Sequence, residues 1–170
     1  MANGSLPNEA VTYTVANGLG NELSDKGQYE EAKVFYLAAL EGRRRVLREE
    51  HMDSLDSLNN MGVFLDELKD YEGALDYYQQ VLRVQEKVMG KTHPDTLRTT
   101  INMAILCKKT ENFAKAEELY RLALDRYERS LGKDHKHTKK CAKNLNILVE
   151  EIERLEEKAA LEKIYPESGL

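Results

Sequence analysis

The 170-residue chain has no tryptophan, only three phenylalanines, three prolines and two cysteines. So few prolines leave long stretches open to uninterrupted helix, and two cysteines exclude a disulfide scaffold. No run of about 18 apolar residues occurs, so a membrane-spanning helix is not expected. Met1 to Pro7 lacks the charged and apolar regions of a signal peptide, and a cytoplasmic location is expected. Neither sign of charge dominates: 25 Lys and Arg face 30 Asp and Glu, giving a net charge of -5 and a pI near 5.5. General attraction to nucleic acid or to an anionic membrane is therefore not expected. There is no phosphate-cradling glycine loop, nucleophile elbow or zinc-protease pair, and the acidic residues spread along helix faces. An enzyme, a cofactor and a small-molecule substrate are not expected.

What is present is periodicity. The segment Gln28-Tyr29-Glu30-Glu31-Ala32 returns 42 residues later as Asp70-Tyr71-Glu72-Gly73-Ala74, and again as Asn112-Phe113-Ala114-Lys115-Ala116. The same step relates Tyr36, Tyr78 and Tyr120, then Leu40, Leu82 and Leu124, then His51, His93 and His135, then Asn60, Asn102 and Asn144. Fixed-period similarity of this kind signals a stacked helical solenoid, whose equivalent positions build an extended binding face in place of one converging pocket.

The composition, 41% hydrophobic and 32% charged, suits an all-α protein. Apolar residues recur at helical spacing in seven segments, with breaks near Gly27, His51, Lys69, His93, Glu111 and His135. These segments pair into three hairpins, about 12–53, 54–95 and 96–137, within a domain spanning 8–164. A final helix, about 138–163, carries Leu145, Leu148, Ile152 and Leu155 as an apolar stripe that would cap the third hairpin. Tails are expected at 1–7 and 165–170. Gly90 and Gly132 can end helices in the left-handed conformation, and Thr92 with Asp95 is expected to form a capping box. Arg48 stands where the first linker lacks this glycine. The small residues Ala32, Ala74 and Ala116 would let the paired helices approach closely.

These motifs resemble tetratricopeptide repeats of the 42-residue kind found in kinesin light chains. Leu58-Asn59-Asn60-Met61-Gly62 is similar to the family's first-helix motif, and Val88-Met89-Gly90-Lys91-Thr92-His93-Pro94-Asp95 to its inter-repeat linker. The resemblance covers roughly Thr12 to Val149 and implies a right-handed α-solenoid whose first helices line a concave face. It does not include the long heptad coiled coil by which kinesin light chains join their heavy chain.

On that resemblance, the first-helix residues facing the groove are Asn17 and Asn21, then Asn59, Asn60 and Val63, then Arg98, Ile101, Asn102, Ile105 and Lys108, then Lys140, Lys143, Asn144 and Ile147. Asparagine suits an extended peptide because one side chain both donates to a backbone carbonyl and accepts from a backbone N–H. The competing reading is that Asn60, Asn102 and Asn144 bond to neighbouring helices and hold the stack. Asp56, Asp66 and Glu67 lie in the second repeat, whereas Arg98, Lys108, Lys109, Lys139, Lys140 and Lys143 lie in the third and fourth. An acidic peptide with one large apolar anchor is therefore the expected ligand.

Other readings compete with this one. Some tetratricopeptide modules clamp the terminal carboxylate of chaperone tails; Asn21, Asn60 and Arg98 match that pattern, but Asn17 and Asn102 replace its lysine and arginine. Self-association through the solenoid ends is the alternative of a different class, with Val11, Val15 and Leu19 at one end and Leu155, Leu161 and Ile164 at the other. A nucleic-acid patch would need interleaved aromatic residues, which the basic stretch lacks. The three spaced histidines read as linker residues and Cys107 as a small buried apolar group, so no metal site is expected.

Overall fold

The computed structural model describes residues 6–47 and 50–164. The expected tails lie outside these residues except for Leu6 and Pro7, which open the first helix; Arg48 also lies outside. The described residues form seven helices and no strand: α1 (Leu6–Asp25), α2 (Tyr29–Leu47), α3 (Met52–Glu67), α4 (Tyr71–Val88), α5 (Pro94–Lys109), α6 (Phe113–Leu131) and α7 (Lys136–Ile164). They fall into two compact units that meet in sequence at Thr99 and Thr100. In the first, α1 packs on α2, α3 on α4, and α2 on α3. In the second, α6 packs on α7.

The turns inside the hairpins share one construction. Gly27 N–H donates to Ser24 C=O and Gln28 N–H to Leu23 C=O; Lys69 with Asp66 and Asp70 with Leu65 repeat the pair, as do Glu111 with Lys108 and Asn112 with Cys107. This pair of hydrogen bonds closes a helix through one residue in the left-handed region. That residue is Gly27, Lys69 or Glu111, with φ of 74°, 61° and 58°. Only the first is glycine, so the other two turns carry about 1 kcal/mol of strain each. The following helix is then capped by a side chain: Asp70 Oδ1 accepts from Gly73 N–H at 3.0 Å and Asn112 Oδ1 from Lys115 N–H at 3.3 Å.

The turns between hairpins use histidine. His51 Nδ1 accepts from Asp53 N–H at 3.2 Å, His93 Nδ1 from Asp95 N–H at 3.2 Å, and His135 Nδ1 from His137 N–H at 3.3 Å. Each imidazole thus does what Ser or Asp usually does at a helix start, with its proton on Nε2. The capping box expected from Thr92 and Asp95 does not form, because α5 begins at Pro94 and the residue flanking it is His93. Thr96 Oγ1 instead donates back to Gly90 C=O at 2.9 Å, and Thr138 Oγ1 to Gly132 C=O at 2.8 Å. Among the described residues no group of three or more His, Cys, Asp or Glu is placed to hold a metal ion.

The first two hairpins each have an aromatic ring laid on a glycine. A Cβ on Gly20 would stand 2.9 Å from the Tyr36 ring, and one on Gly62 2.9 Å from the Tyr78 ring. The equivalent places in the second unit hold Ala104 and Tyr120, both buried. Burial pushes the Tyr78 hydroxyl up to about 12, with the charge of Asp66 adding to it. Cys107 and Cys141 are buried free thiols, and burial raises both, Cys141 to about 11. They are packing groups and not nucleophiles.

Candidate functional site

The expected peptide-facing residues fall in both units. In the first unit, Asn21, Asn60 and Val63 line a cavity of about 260 Å³ together with Ser24, Asp25, Tyr36 and Glu67. The Tyr36 ring is core, 5.0 Å from Phe64 between centroids, but its hydroxyl reaches the cavity and donates to Asn21 Oδ1 at 2.7 Å. That bond leaves the Asn21 amide N–H groups facing outward as donors. Ser24 Oγ donates to Glu67 Oε2 at 2.8 Å. Desolvation first, then the charges of Glu67 and Asp25, push the Tyr36 hydroxyl up to about 12, which keeps it a donor. The Asp25 and Glu67 carboxylates thus line this cavity with acceptors, beside the Asn21 donors. Ser24, Asp25 and the hydroxyl of Tyr36 were not legible as site residues, because the tyrosine repeat reads as packing.

The other first-unit residues divide. Asn59 and Asn60 are half-buried. Asn17 is buried and donates through Nδ2 to Ser57 Oγ at 3.4 Å, so its N–H is spent on α3 within the unit. Arg98 is exposed but bound to Asp95 at 2.9 Å in the same helix turn. Nearby, desolvation and then the charge of Asp53 raise the Asp56 carboxyl above the usual carboxylate range, while Arg43 and Arg98 pull it back.

In the second unit Ile101, Asn102, Ile105 and Asn144 are half-buried, and Ile147 is exposed on α7. Lys140 and Lys143 are exposed on the same helix. Two of the expected cations are engaged within the protein: Lys108 binds Glu151 at 2.5 Å, tying the end of α5 to α7, and Lys139 binds Asp134 at 3.0 Å. Lys108 and Glu151 are each about two-thirds buried, so this pair is more than a surface contact. The positive charge left for a ligand is thus narrower than the count of basic residues implied.

A family model described as tetratricopeptide repeat matches residues 11–87, 53–129 and 95–157. The chain belongs to the tetratricopeptide repeat family. The three matches start in the 42-residue register already seen in the sequence. Among solved structures, the TPR-like repeats of a Podospora anserina kinesin light chain share 20% identity at a TM-score of 0.69, covering 91% of this chain and 76% of that one. A variant of the same repeats with one residue replaced by methionine gives a TM-score of 0.70. BtubC (BKLC) from P. vanneervenii is 14% identical at a TM-score of 0.67, covering 86% of this chain but only 66% of its own length. These likenesses show the fold, an all-α helical repeat of the kinesin light chain-like kind. No curated protein sequence matches the chain significantly. Tetratricopeptide repeats generally mediate protein–protein interaction, and proteins of this kind are typically scaffolds and not enzymes. Among the described residues no helix is long and apolar enough to cross a membrane.

Proposed function

We propose that this tetratricopeptide protein is a cytoplasmic adaptor that binds an extended peptide of a partner protein along its first-helix faces. The observation that carries this reading is the amide ladder: Asn60, Asn102 and Asn144 stand at one repeat position and are all partly open to solvent. Such amides grip main chain without demanding sequence, and flanking groups then select side chains. On the second unit, Lys140 and Lys143 select acidic residues, and the apolar anchor belongs with Ile105 and Ile147. In the cavity of the first unit, Asp25 and Glu67 accept N–H donors of the ligand and the Asn21 amide donates to one of its carbonyls.

The test uses a fluorescent, proline-containing peptide that combines Asp and Glu with one Phe. Lys140→Glu with Lys143→Glu is expected to weaken binding at least about tenfold, and added salt to weaken wild-type binding, as for any charge-selected contact. Arg98 is a poorer target because Asp95 already holds it. Affinity that is indifferent to the double charge reversal would remove the acidic part of the proposal.

A further inference from the structure

The stripe by which α7 packs on α6 does not stop where α6 stops. Leu145, Leu148, Ile152, Leu155 and Ala159 follow one another at alternating steps of three and four residues, the spacing of a coiled-coil seam. Leu148 is fully buried, but Leu155 is 45% exposed. The reason is length: α6 has 19 residues and α7 has 29, and the two are consecutive antiparallel neighbours. The start of α6 therefore meets the middle of α7, and the seam overhangs it. In the notch so formed, Phe113 of α6 and Ile152 and Leu155 of α7 wall a cavity of about 600 Å³, rimmed by Glu111, Glu117 and Glu156. Of the rim carboxylates, Glu117 is held by Arg121 at 2.6 Å, while Glu111 and Glu156 are exposed.

We propose that this notch docks a helix of a partner protein that carries apolar residues at heptad spacing flanked by Lys or Arg. The seam sets the form of the occupant, because side chains repeating at three and four residues interdigitate with another helix and not with an extended strand. The rim sets its charge. A second copy of the chain fits worse on both available faces. The exposed stripe Val11, Val15 and Leu19 belongs to α1, whose span Leu6–Asp25 has no Lys or Arg. The overhang of α7 itself is acidic in excess, with Glu153, Glu156, Glu157 and Glu162 against Arg154, Lys158 and Lys163. The site is separate from the first-helix faces and does not depend on their function.

The experiment titrates the full chain with two labelled amphipathic helical peptides that share their apolar residues and differ only in flanks, one Lys and one Glu. The Lys peptide is expected to bind at least about tenfold more tightly, and Leu155→Glu to weaken it by a similar factor, since one central apolar anchor commonly carries that much. Leu155→Glu adds negative charge, so simple attraction of a basic peptide to an acidic protein would grow, which separates docking from stickiness. The exposed position makes misfolding of the variant easy to exclude by circular dichroism, and Lys140→Glu with Lys143→Glu should leave this binding undiminished. Equal binding of both peptides, or no loss with Leu155→Glu, overturns the proposal. So does a concentration-dependent doubling of mass abolished by Leu155→Glu, which would give the notch to a second copy.

Discussion

Gly42→Val is expected to destabilise the first unit by about 1 to 3 kcal/mol, the usual range of overpacking. A Cβ at Gly42 would stand 2.0 Å from the Tyr13 ring, a distance no repacking of that ring in place can relieve. The ring lies on bare backbone, with its hydroxyl accepting from Arg45 Nη2 at 3.1 Å. One repeat later the equivalent positions hold Leu55 and Val84, both buried. The chain has thus exchanged volume across a helix pair, large on small in one repeat and medium on medium in the next. It follows that Tyr13→Leu combined with Gly42→Val should recover most of the loss, because the pair then copies its neighbour. Urea unfolding of the single and double variants checks this. A double variant as unstable as Gly42→Val alone would show that the two positions do not share one space.

Arg43→Ala is expected to cost about 3 to 5 kcal/mol, since it removes a large buried side chain and its hydrogen bonds together. Arg43 is only 4% exposed and sits where three helices meet. Its Nη1 donates to Asp53 C=O and to Ser57 Oγ, both at 2.9 Å, and its Nη2 to Thr14 Oγ1 at 2.8 Å. Neither Arg43 Nε nor Asn17 Oδ1 beside this cluster has a hydrogen-bond partner, so the seam is imperfectly satisfied. In the next repeat the same places hold Gln85 and Thr99, and Thr99 Oγ1 donates to Gln85 Oε1 at 2.8 Å. Arg43→Gln with Ser57→Thr transplants that smaller pair and should be less damaging than Arg43→Ala by at least about 1 kcal/mol, the worth of one buried hydrogen bond. Thermal unfolding followed by circular dichroism separates the two variants, and equal losses would mean that volume alone matters there.

The seven helices and the register were legible because they are written in positions that repeat, such as Tyr36, Tyr78 and Tyr120, and periodic apolar residues need no partner to be recognised. What stayed hidden depends on pairs far apart in sequence or on conformations that residue type does not announce. Of the three left-handed turns inside the hairpins only Gly27 carries the residue that signals one; Lys69 and Glu111 occupy the same conformation without it. The histidines repeated visibly, but imidazole is not among the usual helix-capping groups, so the repeat gave position without role. Lys108 looked available to a ligand until Glu151, from another helix, proved to hold it. Asn17 stood in the same amide series as Asn21 and Asn60, and only the fold separates the buried member from the two that reach the cavity. The apolar stripe of α7 was plain, but where α6 begins beneath it was not, and that starting point makes the notch.

The central claim, that the first-helix amides grip an extended peptide, is tested most directly by selecting a randomised peptide display library on the wild-type chain and in parallel on an Asn60→Ala, Asn102→Ala variant at moderate salt. The account predicts enrichment of acidic peptides with one apolar anchor on the wild type, lost on a variant that keeps its helical content. Equal enrichment on both would contradict it.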